Sequence, residues 1–239
     1  RTFLDYDGHI SLHKPHVDYW RNRGLSALEL QPGIPKSWQD KNNSIKSIDV
    51  LFYGQYLKSF FGKRNKLIED LLRYKNSNNR DIRCHLTYEE QLKTIFRIPR
   101  LDWTRVTLPI VTFPSPIVRE QSLPPLYGDL LYGAINSSKI VVNAYTDDNC
   151  DYKSNMRLFE AIGLGAFLIS EEGPYPEGFE PGVDFYTYTD SKSLIRQIER
   201  VLDDWEHHAE VAQRTRRKIA DLFSKERQWQ EFSSFVSSL

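Results

Sequence analysis

The chain has 239 residues, enough for one large domain or one domain with appendages. Lys plus Arg total 32 and Asp plus Glu total 32, so no net charge points to nucleic acid or an anionic membrane as a partner. The two cysteines, Cys84 and Cys150, form no CxxC pair, which argues against a zinc ribbon or a disulfide scaffold and favours a reducing, cytoplasmic setting.

Residues 1–44 are polar and rich in turn-forming residues, and we expect them to be irregular. On a helix, His9, His13 and His16 would face one way and could suggest a zinc site. Pro15 weakens such a helix, and no Cys or acidic ligand joins them at suitable spacing, so we expect no zinc there. Because the chain starts at Arg1 rather than at Met, we interpret it as a fragment or a processed chain.

Beyond this segment, apolar runs rich in β-branched and aromatic residues alternate with amphipathic helical patterns. Strands are predicted at residues 48–53, 82–87, 106–113, 139–143, 166–169 and 183–188. Helices are predicted at residues 63–74, 88–96, 126–136, 156–162, 191–204 and 206–234. This order predicts an α/β fold, a Rossmann-like parallel sheet with helices on both faces, followed by a long C-terminal helix. No apolar run approaches the about 20 residues that span a bilayer, so no transmembrane segment is expected.

The stretch 153–170, KSNMRLFEAIGLGAFLIS, reads as loop, helix, stop and strand. Ser154 or Asn155 can cap the helix with a side-chain oxygen, and Gly163 and Gly165 are typical of a helix end. The polar loop before the helix follows a predicted strand, and in doubly wound sheets ligands bind at the carboxyl ends of the strands. We therefore expect a ligand near the start of this helix.

The same helix carries a charged face. Lys153, Arg157 and Glu160 are spaced to share one ridge. The ridge begins at a helix N-terminus, where unpaired N–H groups and the macrodipole attract anions such as phosphate.

The run R-x-F-E-A-x-x-x-G from Arg157 to Gly165 resembles the C-terminal nucleotide-sugar-binding domain of GT-B glycosyltransferases. The nearest likeness is to the branch called glycosyl transferases group 1 and spore-protein glycosyltransferase-like. Further pieces fall in the order of that family over about residues 47–204: IDVLFYGQY, then Arg64, YGAINSSKIVVN and YTYTDSKSLIRQIERVL.

The resemblance implies that Glu160 accepts hydrogen bonds from two ribose hydroxyls of the donor nucleotide. It also implies that Arg157 faces the diphosphate, together with the backbone N–H groups of Asn155 and Met156. The spacing leaves other partners open: Glu160 could pair with Arg157 on a solvated face, and Arg157 could pair with Asp151.

By the same resemblance, Gly54, Gln55 and Arg64 lie near the donor phosphates, although a glycine at a strand end can also mark a simple turn. Ser154 and Lys153 complete the expected donor site.

Other ligand motifs fail at specific positions. Gly163-Leu164-Gly165 follows a helix instead of opening one, unlike a dinucleotide fingerprint. Asp147, Asn149 and Asp151 begin like a calcium loop, but Tyr152 stands where that loop needs glycine. We expect neither a metal nor a cofactor.

The catalytic residue stays unassigned. Many retaining members of the resembled group carry a glutamate eight positions before the one at 160, and here that position is Tyr152. Either Asp151 or Asp148 fills that role, or the enzyme inverts and takes its base from a preceding domain.

The resemblance implies a metal-independent glycosyltransferase that transfers a sugar from a nucleotide-sugar donor to an acceptor hydroxyl of a glycan, lipid-linked glycan or surface polysaccharide. Residues 1–46 would then be the end of a preceding domain and a linker, residues 47–205 the donor-binding domain, and residues 206–239 a C-terminal helical segment. The acceptor domain would lie upstream or in another chain. The alternatives are a non-catalytic nucleotide or nucleotide-sugar binding module and a flavodoxin-like interaction domain.

Overall fold

The computed structural model describes residues 5–39, 45–57, 61–88, 91–95, 108–112, 114–146 and 151–239. Its strands are β1 (His9–Ser11), β2 (Ala27–Glu29), β3 (Ile48–Gln55), β4 (Ile82–Thr87), β5 (Gln91–Ile95), β6 (Leu108–Thr112), β7 (Ser138–Asn143), β8 (Phe167–Glu171) and β9 (Tyr186–Tyr188). Its helices are α1 (Lys14–Arg21), α2 (Lys36–Gln39), α3 (Gly62–Ser77), α4 (Pro116–Gln121), α5 (Gly128–Asn136), α6 (Met156–Gly163), α7 (Ser191–Asp203), α8 (Trp205–Leu222) and α9 (Lys225–Ser237).

Five strands form one parallel sheet in the order β4-β3-β7-β8-β9. The strands predicted at 48–53, 82–87, 139–143 and 166–169 are confirmed as β3, β4, β7 and β8. The strand predicted at 183–188 is reduced to the three residues of β9, because Val183 and Asp184 form a turn with Glu180. The Rossmann-like α/β fold predicted for this part of the chain is confirmed.

Both faces of the sheet are buried, which explains why its strands are almost continuously apolar. Along β3, Val50 and Phe52 point into a core formed with α3 and α7. The alternate residues Leu51 and Tyr53 point into a second core formed with α5 and α6. Helix α8 contributes to both cores.

The helix predicted at 88–96 is wrong over the residues that the structure describes, whereas the strand predicted at 106–113 is confirmed at Leu108–Thr112 but does not join the main sheet. The segment Gln91–Ile95 is a strand, and it pairs antiparallel with Leu108–Thr112 in a separate hairpin. The cross-strand hydrogen bonds outweigh the weak helical propensity of this segment. Residues 89, 90, 96, 106, 107 and 113 of these two predictions lie outside the described part of the chain.

The N-terminal segment is more regular than its composition indicates. Strands β1 and β2 pair in parallel around α1. Lys46 then anchors the connection to the main sheet by donating to the carbonyl oxygens of Asn136 and Gly165, each at 2.8 Å.

The predicted C-terminal helix consists of two helices, α8 and α9, separated at Phe223 and Ser224. At this break the backbone of Ile34 donates to the Phe223 carbonyl at 2.7 Å and accepts from the Lys225 N–H at 3.2 Å. A continuous helix could not offer these groups, so pairing with the N-terminal segment explains the interruption. Within the described residues, no helix is long and apolar enough to cross a membrane.

Candidate functional site

Three parallel strands end at one edge of the sheet, where β3 ends at Gln55, β7 at Asn143 and β8 at Glu171. The N-termini of α3 and α6 open at the same edge, and their first turns carry Arg64 and Arg157. An edge of this kind is where open α/β sheets bind ligands.

Gly54 is the point at which the two arginines meet. Its φ of +146° lies in a region that side chains with a Cβ rarely adopt. A Cβ at Gly54 would overlap Nη2 of Arg64 and lie 2.7 Å from Nη2 of Arg157. The two guanidinium groups also lie over the same ring, with Cζ of Arg64 at 5.8 Å and Cζ of Arg157 at 5.4 Å from the Phe52 centroid. Two converging cations repel each other, and a phosphate between them would relieve that repulsion.

Arg157 is held by groups at the ends of two strands. Its Nη1 donates to Oδ1 of Asn143 at 3.1 Å and to the Ala144 carbonyl at 3.3 Å, and its Nη2 donates to the Tyr53 carbonyl. Its Nε is buried and has no hydrogen-bond partner in the described part of the chain. No ion pair joins Arg157 to Glu160 or Asp151 among the described residues, so neither alternative partner is observed.

Asn143 connects the guanidinium to the start of α6. This residue is fully buried, and its amide exchanges hydrogen bonds of 3.2 and 3.0 Å with the amide of Asn155. Asn155 in turn accepts from the Leu158 N–H at 3.1 Å, so Asn155, not Ser154, caps the helix. The cap and the arginine are therefore positioned by one buried amide.

Glu160 lies on the same helix as Arg157 and faces Tyr53 of β3. The Tyr53 hydroxyl donates to Oε2 of Glu160 at 2.7 Å. Burial raises the pKa of Tyr53 well above its ordinary value; Arg157 opposes this shift and Glu160 adds to it. The phenol therefore stays protonated and remains a donor to the carboxylate.

The other predicted site residues have separate partners. Ser154 is buried and donates to Oε1 of Gln31 at 2.6 Å. Lys153 precedes α6 and lies 3.4 Å from Oε1 of Glu171, with its Nζ over the Tyr145 ring. Gln55 is exposed at the end of β3 beside Thr87 of β4. The structure thus brings Gly54, Arg64, Arg157 and Asn155 together and turns Ser154 and Lys153 toward protein groups.

A cavity of about 330 Å³ opens at the two arginines. Its described lining comprises His13, Arg64, Ala144, Tyr145, Thr146, Tyr152, Ser154, Asn155 and Arg157, and none of these is a carboxylate. A larger groove of about 810 Å³ runs between α3 and α7 and shares Arg64 and Ala144 with the cavity. The smaller cavity suits an anionic group of a small ligand.

The N-terminal segment forms part of this cavity through His13. The pKa of His13 is lowered by burial and by the neighbouring His16, so its imidazole is neutral at pH 7. Tyr152, at the position counted for the missing glutamate, donates to Oε1 of Glu29 at 2.6 Å. The Tyr152 hydroxyl therefore contacts a carboxylate from β2.

Possible metal ligands are dispersed. His9 lies in β1 and stacks on Trp20 with ring centroids 4.8 Å apart, whereas His16 lies in α1. Among the described residues, no group of three His, Cys, Asp or Glu side chains could hold a metal ion. Asp147, Asp148, Asn149 and Cys150 lie outside the described part of the chain.

Three site residues were missed by sequence reasoning: Tyr53, Asn143 and His13. Tyr53 and Asn143 are the last residues of the apolar runs at 48–53 and 139–143, so the sequence identifies them only as strand residues. Each lies at the carboxyl end of a predicted buried strand, and this position is the signal that could have identified it. His13 has no comparable local signal, because its place in the cavity depends on the packing of a distant segment.

A family model described as "Glycosyl transferase-like" matches residues 64–234. Sucrose-phosphate synthase from Thermosynechococcus elongatus superposes with a TM-score of 0.57 at 15% identity, covering 97% of this chain and 58% of that one. HepE from Anabaena, solved in complex with UDP-glucose, has a TM-score of 0.61 at 13% identity and covers 96% and 63%.

A glycosyltransferase from Rickettsia africae ESF-5 has a TM-score of 0.62 at 13% identity, covering 95% of this chain and 62% of that one. At such identities the likeness establishes the fold, and the chain spans about three fifths of the length of these structures. A comparison with curated protein sequences finds no match.

Proposed function

The chain belongs to the glycosyl transferase-like family, and we propose that it supplies the donor-binding half of a GT-B glycosyltransferase. The reaction is the transfer of a sugar from a nucleotide-sugar donor to an acceptor hydroxyl of a glycan, lipid-linked glycan or surface polysaccharide. The observation that carries the proposal is the convergence of Arg64 and Arg157 over Gly54 at the carboxyl edge of the sheet.

In this proposal the two guanidinium groups bind the diphosphate. As the bond between the anomeric carbon and the diphosphate breaks, negative charge builds on the leaving oxygen. Arg64 and Arg157 are already held in place beside Gly54, so little reorganisation opposes that stabilisation. The first-turn N–H groups of α6 add to the positive potential, and this chemistry needs neither a metal nor a cofactor.

The carboxylate of Glu160 binds the ribose. One of its oxygens accepts from Tyr53, which leaves the other oxygen and the remaining lone pairs to accept from two hydroxyls. Bonds of this charge-assisted kind are stronger than those between neutral groups. The UDP-glucose bound in the HepE structure supports the same class of ligand for this chain.

The domain boundaries follow from this reading. Residues 1–46 are the end of a preceding domain and a linker, residues 47–205 bind the donor, and residues 206–239 form the C-terminal helical segment. The acceptor domain lies upstream or in another chain. We place the reaction in the cytoplasm, where nucleotide sugars and reduced cysteines are both expected.

Calorimetric titration with UDP, GDP, ADP, TDP and CMP, each with and without EDTA, tests the proposal. We expect one nucleotide to bind selectively and independently of EDTA. Glu160→Ala should weaken that binding by about 1–3 kcal/mol, because it removes a charged hydrogen-bond acceptor.

The matched control is Glu231→Ala, since Glu231 is partly exposed in α9 and pairs with Arg227 at 3.2 Å. This variant should bind like the native protein. Absence of binding by every nucleotide, or equal losses in both variants, would contradict the proposal.

A further inference from the structure

Tyr53 contacts both residues to which the donor roles are assigned. Its hydroxyl donates to Oε2 of Glu160, and its carbonyl accepts from Nη2 of Arg157. Cζ of Arg157 lies 4.6 Å from the centroid of its ring. The side chain is 8% exposed and fixed in the core beneath α6, so these contacts have a rigid support.

This arrangement keeps two opposite charges apart. Arg157 and Glu160 are three positions apart on one helix, a spacing at which a guanidinium and a carboxylate readily pair. Such an ion pair would occupy the guanidinium that is proposed to bind phosphate and the carboxylate that is proposed to bind ribose. Each is instead turned to a different part of Tyr53, the carboxylate to the hydroxyl and the guanidinium to the carbonyl and ring.

We propose that Tyr53 is a positioning residue that orients Glu160 toward the vicinal hydroxyls of a ribonucleoside. The same contacts keep Arg157 away from Glu160, so that its guanidinium can bind the diphosphate. The inference rests on the proposed function and makes it more specific. The donor is a ribonucleotide sugar, and a 2′-deoxyribonucleotide is disfavoured. Without its 2′-hydroxyl, the deoxynucleotide leaves one acceptor position of the fixed carboxylate unfilled.

Tyr53→Phe removes the hydroxyl alone and retains the ring and the carbonyl. We would titrate the native and variant proteins with UDP, GDP, their 2′-deoxy forms and inorganic pyrophosphate. The native protein should prefer the ribonucleotide by about tenfold, the value of one hydrogen bond to a charged group. The variant should lose most of that preference, while its affinity for pyrophosphate changes by less than about twofold.

Tyr56, which directly follows β3, offers a matched control. The hydroxyl of Tyr56, which is also buried, donates to Oε1 of Glu69 at 2.7 Å. Tyr56→Phe therefore breaks an equivalent tyrosine–glutamate bond, and it should leave the ribose preference intact. If Tyr53→Phe does not fold, Tyr53→Met, which also removes the hydroxyl and retains the backbone carbonyl, is titrated in its place and should show the same pattern.

The outcomes separate the inference from the function on which it rests. A native protein that binds no nucleotide contradicts both. A native protein that prefers the ribonucleotide, together with a Tyr53→Phe variant that keeps the preference, contradicts only the role of Tyr53. Equal losses for nucleotide and pyrophosphate in the variant also overturn it, because they indicate general disruption of the site.

Discussion

Replacing Gly54 with alanine tests the geometry on which the phosphate site depends. The new Cβ would occupy the space in which Nη2 of Arg64 and Nη2 of Arg157 now lie. Both guanidinium groups must therefore withdraw. We expect Gly54→Ala to lose affinity for inorganic pyrophosphate as well as stability.

The expected effect of Gly54→Ala has two parts, a cost in folding free energy and a cost in binding free energy. Holding a residue with a Cβ at a φ of +146° costs about 1–3 kcal/mol in folding free energy. Loss of a well-placed guanidinium hydrogen bond to phosphate costs about 1.5–3 kcal/mol in binding, or roughly 10–100-fold in affinity.

Gly182→Ala separates strain from crowding. Gly182 also has a positive φ, +84°, but a Cβ there would meet nothing within 4 Å. This control should lose about 1 kcal/mol of stability and no affinity for pyrophosphate.

Urea unfolding and calorimetric titration with pyrophosphate measure the two terms separately. The reasoning is refuted if Gly54→Ala binds pyrophosphate like the native protein. It is also refuted if the two glycine variants lose equal stability and equal affinity, since the crowding by the arginines would then have no effect.

Two further predictions concern stability. Arg216 is buried and donates to the carbonyls of Gly163 and Trp38, so Arg216→Met should lower the free energy of unfolding in urea by about 2–4 kcal/mol. The exposed Arg217→Met is its control and should change it by less than about 0.5 kcal/mol; equal effects would contradict the assigned contacts. For Asp49, burial raises the pKa, but the bond from Lys139 and other contacts outweigh it and lower the pKa overall. Its stabilisation is therefore present above the unfolded pKa and lost as the pH falls through the folded pKa, so Asp49→Asn should cost about 1 kcal/mol at pH 7 and almost nothing at pH 2. Equal costs in urea unfolding at both pH values would exclude this ion pair as the cause.

Local patterns in the sequence determined most of the sheet. Four predicted strands coincide closely with β3, β4, β7 and β8, because a strand buried on both faces must be almost continuously apolar. The start and end of α6 were also predictable. Asn155 can cap a helix and Gly165 can adopt a φ of +78°, and both are properties of single residue types.

The hairpin of β5 and β6 could not be predicted from the local sequence. Residues 91–95 have a weak helical pattern, and their strand conformation depends on pairing with residues 108–112. The regular N-terminal unit has the same origin, since the two short strands β1 and β2 pair with each other across α1. In both places the partner, not the local sequence, supplies the hydrogen bonds.

The same distinction between local sequence and tertiary pairing applies to the candidate site. The local sequence alone was enough to predict that Arg157 and Glu160 share a helix near the end of a parallel strand. Helix periodicity and strand order are local properties. Tertiary structure decided their partners: Tyr53 and Asn143 keep the two charges apart, and Arg64 joins Arg157 over Gly54. A hydrogen bond depends on distances and angles between atoms far apart in the chain, and only the folded packing establishes these.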